Sequence, residues 1–196
     1  MLSLKDSLAV LKKTKALLEG HFVLSSGLHS PQYVQCAKLL SYPKKSEKFC
    51  KSLSTKIKKK FKKIDIILSP AMGGIVIGYI VGNLLNKETI FCERVNGKFI
   101  LRRGFSIKKN SKVLIVEDVI TTGKSSLECA RLVKKHKSKI VGYACLINRS
   151  SKPSLKIKEK NIVSQIKLEI PTYKKNDLPS ELKKIPITKP GSRYLK

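Results

Sequence analysis

The chain has 196 residues, a formal net charge of +29 and 41% hydrophobic residues. That length suits one domain with a full core, and the hydrophobic share predicts a folded chain rather than a disordered one. The longest apolar stretch, Ile75 to Leu85, is shorter than the about 18 residues of a membrane span, and the opening MLSLKDSLAV lacks the basic start, apolar block and cleavage site of a secretion signal.

Residues 3–19 carry Leu4, Leu8, Leu11 and Leu18 at helical spacing behind Ser3 and Asp6, a capping-box pattern that predicts a first helix. A turn-rich segment, HFVLSSGLHSPQYV, follows. Residues 43–62 place Phe49, Leu53, Ile57 and Phe61 four apart among lysines, an amphipathic helix opened by Pro43. Strands and helices then alternate: a short strand from Ile64 to Ser69, a helix over 74–86, a strand from Thr89 to Glu93 and a mixed, hairpin-like segment over 98–108. Next come a β-branched strand from Val113 to Val116, a helix from Leu127 to Lys137, and strands from Ile140 to Ile147 and from Ile162 to Ile170. Pro171, Pro179, Pro186 and Pro190 predict an irregular tail over the surface. Such alternation implies an α/β fold whose parallel sheet is covered on both faces. Ligands then bind beyond the carboxyl ends of the strands, just after Ser69, Glu93, Val116 and Ile147.

Lysine is scattered over the whole chain and reads as a solvated surface, whereas the six arginines include a concentration at Arg94, Arg102 and Arg103. Few aromatics are interleaved with the basic residues, and no zinc-finger or RNA-binding signature occurs, so no nucleic-acid partner is expected. The charge should still attract small polyanions. The five cysteines form no CxxC pair, which argues against a disulfide framework or a zinc site and for a reducing cytoplasm.

The stretch VLIVEDVITTGKSS, residues 113–126, carries the chemistry. Gly123-Lys124-Ser125 resembles the end of a triphosphate-binding loop, but that loop needs glycine where this chain has Asp118, so the match fails at its diagnostic position. Instead, a buried strand delivers Glu117 and Asp118, two acids suited to sugar hydroxyls or a hydrated Mg²⁺. Thr121-Thr122-Gly123-Lys124-Ser125 then opens a helix whose amides and hydroxyls form an anion cradle. Acids beside a phosphate cradle fit a phosphorylated sugar.

EDVITTGKS resembles the signature of type I phosphoribosyltransferases, which use 5-phosphoribosyl 1-pyrophosphate (PRPP). Together with GHFVLSSGLHSPQYVQCAKL, LSPAMGGIVIGY, FCERVNGKFILRRGF, CLINRS and KPGSR, it resembles the compact branch of the orotate phosphoribosyltransferases over roughly residues 19 to 196. The resemblance implies one phosphoribosyltransferase domain over 1–196, with a parallel-sheet fold, a small hood mainly from 1–42 and an irregular tail over 171–196. It implies transfer of the phosphoribosyl group to N1 of orotate, giving orotidine 5′-monophosphate and pyrophosphate in pyrimidine biosynthesis. It also implies a Mg²⁺-dependent, cytoplasmic homodimer with active sites near the interface.

By the same resemblance, Glu117 and Asp118 hold the ribose hydroxyls, and Val119, Ile120, Thr121, Thr122, Gly123, Lys124 and Ser125 follow the PRPP signature, with 121–125 on the 5′-phosphate. Ala71, Gly73 and Gly74 lie in the pyrophosphate loop, where glycines let amides approach the anion. Arg94, Lys98, Arg102 and Arg103 belong to a mobile loop that closes on the leaving group, with Asp118, Arg94 and Lys98 as catalytic residues. Arg149 grips the orotate carboxylate, and Thr121 also touches orotate. Mg²⁺ is held mainly through PRPP, with Glu117 and Asp118 as candidate ligands.

Some features depart from the family. Ser25 and Gly73 stand where other bacterial relatives have lysine, and a His-containing Gly-rich loop is missing. Leu178-Pro179-Ser180-Glu181 replaces a Cys-Pro-x-Cys of compact relatives, so neither metal nor disulfide is expected there. His21, His29 and His136 receive no chemical role. A purine or uracil enzyme is the alternative within the superfamily, disfavoured by Arg149. A PRPP-fold regulator binding nucleic acid is another, disfavoured by the intact PRPP loop and LRRGF.

Overall fold

A computed structural model of the chain describes residues 1–24, 26–151 and 154–188. Ser25 and the KPGSR segment, with Pro190 and Arg193, lie outside the described residues. Helix α1 (Leu4–Lys13) opens as expected, with Ser3 accepting the Asp6 amide at 3.0 Å and returning its hydroxyl to Asp6 Oδ2 at 2.6 Å. It ends well before residue 19. Lys15 turns left-handed at φ 54°, and the Thr14 hydroxyl bonds back to Val10 O at 2.8 Å, closing the last turn. The turn-rich segment is then an antiparallel hairpin, β1 (Leu17–Val23) with β2 (His29–Val34), followed by the short α2 (Cys36–Leu40).

Helix α3 (Pro43–Lys60) starts with its proline in the first turn and buries Phe49, Leu53 and Ile57 completely. Each such side chain is worth about 1.5–3 kcal/mol relative to exposure. Strand β3 (Ile66–Pro70) is buried throughout and leads into α4 (Gly73–Leu85). Gly78 and Gly82 make one face of α4 flat: a β-carbon there would overlap Ser69 Oγ and Thr89 Oγ1, at 2.2 and 1.8 Å. The helix therefore lies flush on β3 and on β4 (Glu88–Val95).

The hairpin-like segment becomes an antiparallel ribbon of β4 with β5 (Lys98–Leu101). Its two-residue turn, Asn96-Gly97, has φ of 47° and 77°, the conformation that favours this residue pair. Strand β6 (Lys112–Ile120) outruns the apolar run Val113 to Val116, because Glu117 and Asp118 continue the pairing with β7 rather than ending it. Helix α5 (Lys124–Lys135), β7 (Lys139–Asn148) and β8 (Ile162–Lys167) complete the alternation.

The main sheet runs β5-β4-β3-β6-β7-β8, all parallel except the edge strand β5. Its order reverses between β3 and β6. Helix α4 carries the chain one way and α5 the other, on opposite faces, each face with its own apolar core. That switch point opens a crevice at the carboxyl edge, between the starts of α4 and α5.

The described part of the tail carries short regular pieces. Residues 171–188 include α6 (Ser180–Lys183) and β9 (Ile187–Thr188), and β9 joins β1 in parallel. The resulting three-stranded sheet, β2-β1-β9, draws on both ends of the described chain, so the hood is not confined to 1–42. Two buried histidines stitch it: His21 and His29 share a ring–ring hydrogen bond at 2.7 Å, and His21 Nδ1 reaches Ile185 O at 3.2 Å. His29 also exchanges backbone hydrogen bonds with Tyr173 of the tail, both at 2.9 Å.

Candidate active site

The two floor loops of the crevice are built differently. The Ser69–Gly74 loop leaves β3 with the Ala71 amide on Cys92 O at 2.8 Å, and Met72 projects outward at 81% exposure. Gly73 then begins α4 directly against Asp118, where a β-carbon would lie 2.8 Å from Oδ2. The second loop, 121–125, opens α5 with Gly123 left-handed at φ 69° and packed on Ile157. Thr122 anchors it twice: its carbonyl accepts from the Lys156 amide at 2.8 Å and its hydroxyl from the Lys124 amide at 3.3 Å. The first amides of α5 have no carbonyl within the helix to bond, and Thr121 and Lys124 are exposed beside them. These helix-start amides and exposed side chains lie just after the two acids in the chain.

The two acids face different partners. Glu117 turns toward α5, where the Ser126 hydroxyl donates to its carboxylate. Burial pushes the Glu117 carboxyl up to about 7, with the Ser126 hydrogen bond opposing the rise. Asp118 turns toward the start of α4 and the hood. Its Oδ1 accepts the Val119 amide at 2.9 Å, its carbonyl accepts the Cys36 thiol at 3.8 Å, and burial raises its carboxyl above the ordinary range. Ser126, the last residue of the 113–126 stretch, is given no role by the sequence alone.

Arg149 lies just past β7, its amide bonded to Ile120 O at 2.8 Å. The side chain is half-buried, its Nε has no hydrogen-bond partner among the described residues, and loss of solvent lowers its pKa. Tyr33 of β2 stands over the same recess: its ionisation is shifted up by burial, down by the Arg149 charge and up by Asp118. Its hydroxyl donates to Gln35 at 3.1 Å. Tyr33 is thus within electrostatic reach of both Arg149 and Asp118, and Asp118 abuts Gly73. Sequence reasoning missed Tyr33, whose only signal was its place in the turn-rich segment.

The arginines of the β4–β5 hairpin are engaged elsewhere. Arg94 donates to Gly97 O and to Glu128 of α5, each at 2.5 Å, and its guanidinium lies 4.1 Å from the Phe99 ring centre. Arg102 and Arg103 both pair with Glu93, at 3.5 and 2.7 Å. Lys98 is exposed. The structure therefore sets Gly73 against Asp118, ties Arg149 by its amide to Ile120 just before the 121–125 loop, and holds the hairpin arginines on carboxylates.

Among the described residues no group of three or more His, Cys, Asp or Glu could hold a metal ion. Asp118, beside Gly73 at the start of α4, is the carboxylate that would be available to an ion carried on a diphosphate.

Comparison with known proteins agrees with this geometry. A family model described as the phosphoribosyl transferase domain matches residues 41–176. The chain is 44% identical over 185 residues to an orotate phosphoribosyltransferase of Parvibaculum lavamentivorans, covering 94% of each protein. The chain therefore belongs to the phosphoribosyltransferase family, and within it to the orotate phosphoribosyltransferases. The fold is shared more widely. A crystal structure of the Aeropyrum pernix orotate phosphoribosyltransferase aligns with TM-score 0.69 at 23% identity, covering 82% of this chain and 93% of that one. An adenine phosphoribosyltransferase from Saccharomyces cerevisiae aligns with TM-score 0.64 at 18% identity, covering 81% and 99%.

Proposed function

We propose that this chain transfers the 5-phosphoribosyl group of PRPP to N1 of orotate, releasing pyrophosphate and forming orotidine 5′-monophosphate. The observation that carries the reading is Arg149: a half-buried guanidinium with an unpartnered Nε, in the recess that also holds Asp118 and Tyr33. A carboxylate on the base would satisfy that orphaned donor. Neutral bases such as adenine or uracil offer no such group.

The chain's residues divide the work by position. Asp118 holds ribose hydroxyls at the crevice floor, and Glu117, fixed by Ser126, lines it from the α5 side. The 121–125 cradle takes the 5′-phosphate, and the amides at Gly73 and Gly74 take the diphosphate. As N1 approaches C1 and the C1–O bond lengthens, positive charge grows on the ribose and negative charge on the leaving group. Lys98, the hairpin cation not held on a carboxylate among the described residues, supplies the opposing positive field, so catalysis is mainly positioning and electrostatic stabilisation. Bound Mg²⁺ would neutralise diphosphate charge, with Asp118 as the carboxylate facing it.

The proposed working form is a cytoplasmic homodimer. Met72, Val76 and Tyr79 support it: they form an exposed stripe running from the diphosphate loop onto α4, 81%, 47% and 71% accessible. No helix among the described residues is long and apolar enough to cross a membrane.

The test is purified protein with PRPP, Mg²⁺ and orotate, following the loss of orotate ultraviolet absorbance and the release of pyrophosphate. Turnover of adenine, hypoxanthine or uracil in place of orotate would overturn the reading. Light scattering tests the dimer.

A further inference from the structure

We propose that Glu128 is a positioning residue for this reaction, acting through Arg94 to dock the β4–β5 hairpin on the phosphate-cradle helix α5. The proposal rests on the function given above. It starts from the pairing of cations in the hairpin. Of Arg94, Lys98, Arg102 and Arg103, only Lys98 lacks a carboxylate partner among the described residues. Arg102 and Arg103 share Glu93, which lies within the hairpin itself and so leaves the hairpin's own position free. Arg94 is different, because its carboxylate comes from another element, 34 residues away.

The Arg94 guanidinium is held on three sides: Glu128 Oε2, the Gly97 carbonyl of the turn, and the face of Phe99. Glu128 is only 19% exposed, against 59% for Glu19 in its surface pair with Lys12. The Arg94 side chain itself is 40% exposed, so its three contacts rather than burial hold the pair, and a multiply held guanidinium keeps its geometry better than a lone exposed pair.

Strand alternation turns this anchor into a statement about Lys98. Arg94 pairs across the ribbon with Phe99, and Phe99 packs in the core on the α5 side. Val95 pairs with Lys98, one residue along, so Lys98 projects from the opposite face, the one Asp118 occupies. Fixing Arg94 on α5 therefore fixes the direction in which Lys98 is presented. Glu128 also lies one helical turn after Lys124, so the cradle and the anchor move as one body.

The experiment uses Glu128→Gln, Glu128→Asp, Arg94→Met and the Arg94→Met/Glu128→Gln double variant. Hydrogen exchange on the substrate-free protein reads docking directly. Glu128→Gln should speed exchange over residues 94–101 while leaving β6 and β7 protected; unchanged exchange would overturn the proposal. In steady state, Glu128→Gln should lower kcat about tenfold, equivalent to roughly 1.4 kcal/mol, with the orotate KM held. Glu128→Asp should recover part of the loss. The double variant should be no slower than Arg94→Met alone, because both act through one contact. Losses that multiply, or a full kcat in Glu128→Gln, would overturn it. A wild-type protein inert toward orotate would instead overturn the proposed function, and the exchange result would still decide the docking.

Discussion

Gly73 and Asp118 are in contact across the crevice: the first residue of α4 leaves just enough room for the carboxylate of β6, and a β-carbon would come within 2.8 Å of Oδ2. The diphosphate loop and the ribose acid are therefore set by one steric fit. Gly73→Ala should displace the Asp118 carboxylate, which can rotate, rather than break the fold. The expected outcome is at least a tenfold loss of kcat/KM with a melting temperature within about 3 °C of wild type. Kinetics and thermal melts on the same preparation check both halves. Asp118→Asn, which keeps the shape and removes the charge, should also fold normally and lose most activity.

Glu117 predicts a pH signature. Its folded-state value is raised from 4.5 to about 7, so its protonated form favours the native state. That contribution is fully present below the unfolded value of 4.5 and is lost as pH rises through about 7. Glu117→Gln has no such dependence. Between those limits wild type should lose stability relative to Glu117→Gln, by up to roughly 3 kcal/mol. Ser126→Ala removes a hydrogen bond that lowers the value, so its loss should be centred at higher pH. Urea unfolding at a series of pH values measures both.

Arg149 predicts a ligand-selective defect. Arg149→Ala should weaken orotate about 100-fold, since a buried carboxylate loses its partner, while PRPP affinity changes less than threefold. Isothermal titration with each ligand separates them. Equal losses for both ligands would remove the carboxylate role.

The hood predicts a stability defect far from the chemistry. His21→Phe keeps ring volume and cuts the bonds to His29 and Ile185 O, leaving His29 Nδ1 without its ring partner in a buried place. The expected cost is about 1–3 kcal/mol. Limited proteolysis should then cut earliest within 171–188.

These particulars show what a sequence can disclose. The alternation of elements and the 113–126 motif were legible because their signals are local: four apolar residues, two acids and a glycine in one run. Strand β6 was read too short for the same reason, since polarity at Glu117 and Asp118 looks like an ending when it is a site inside a strand. The short regular pieces of the tail left no trace in the sequence because its prolines suggest irregularity, while two-residue β9 gains its strand character only from β1. Arg94 was assigned to the leaving group from the resemblance. Its carboxylate, Glu128, is 34 residues distant, and no periodicity links the two. Tyr33 faces Arg149 only after the hood folds over the sheet, a long-range event with no local trace.

The pairing of β9 with β1 also sets an order of events during synthesis. His21 leaves the ribosome 164 residues before Ile185, the carbonyl it will hold. The sheet that carries Tyr33 cannot be completed on a nascent chain, however well the central sheet has formed by then. The β1–β2 hairpin that carries Tyr33 is complete in sequence by Val34, whereas the third strand of its sheet is supplied only by Ile187 and Thr188, so the two halves of the hood are separated by almost the whole length of the central sheet.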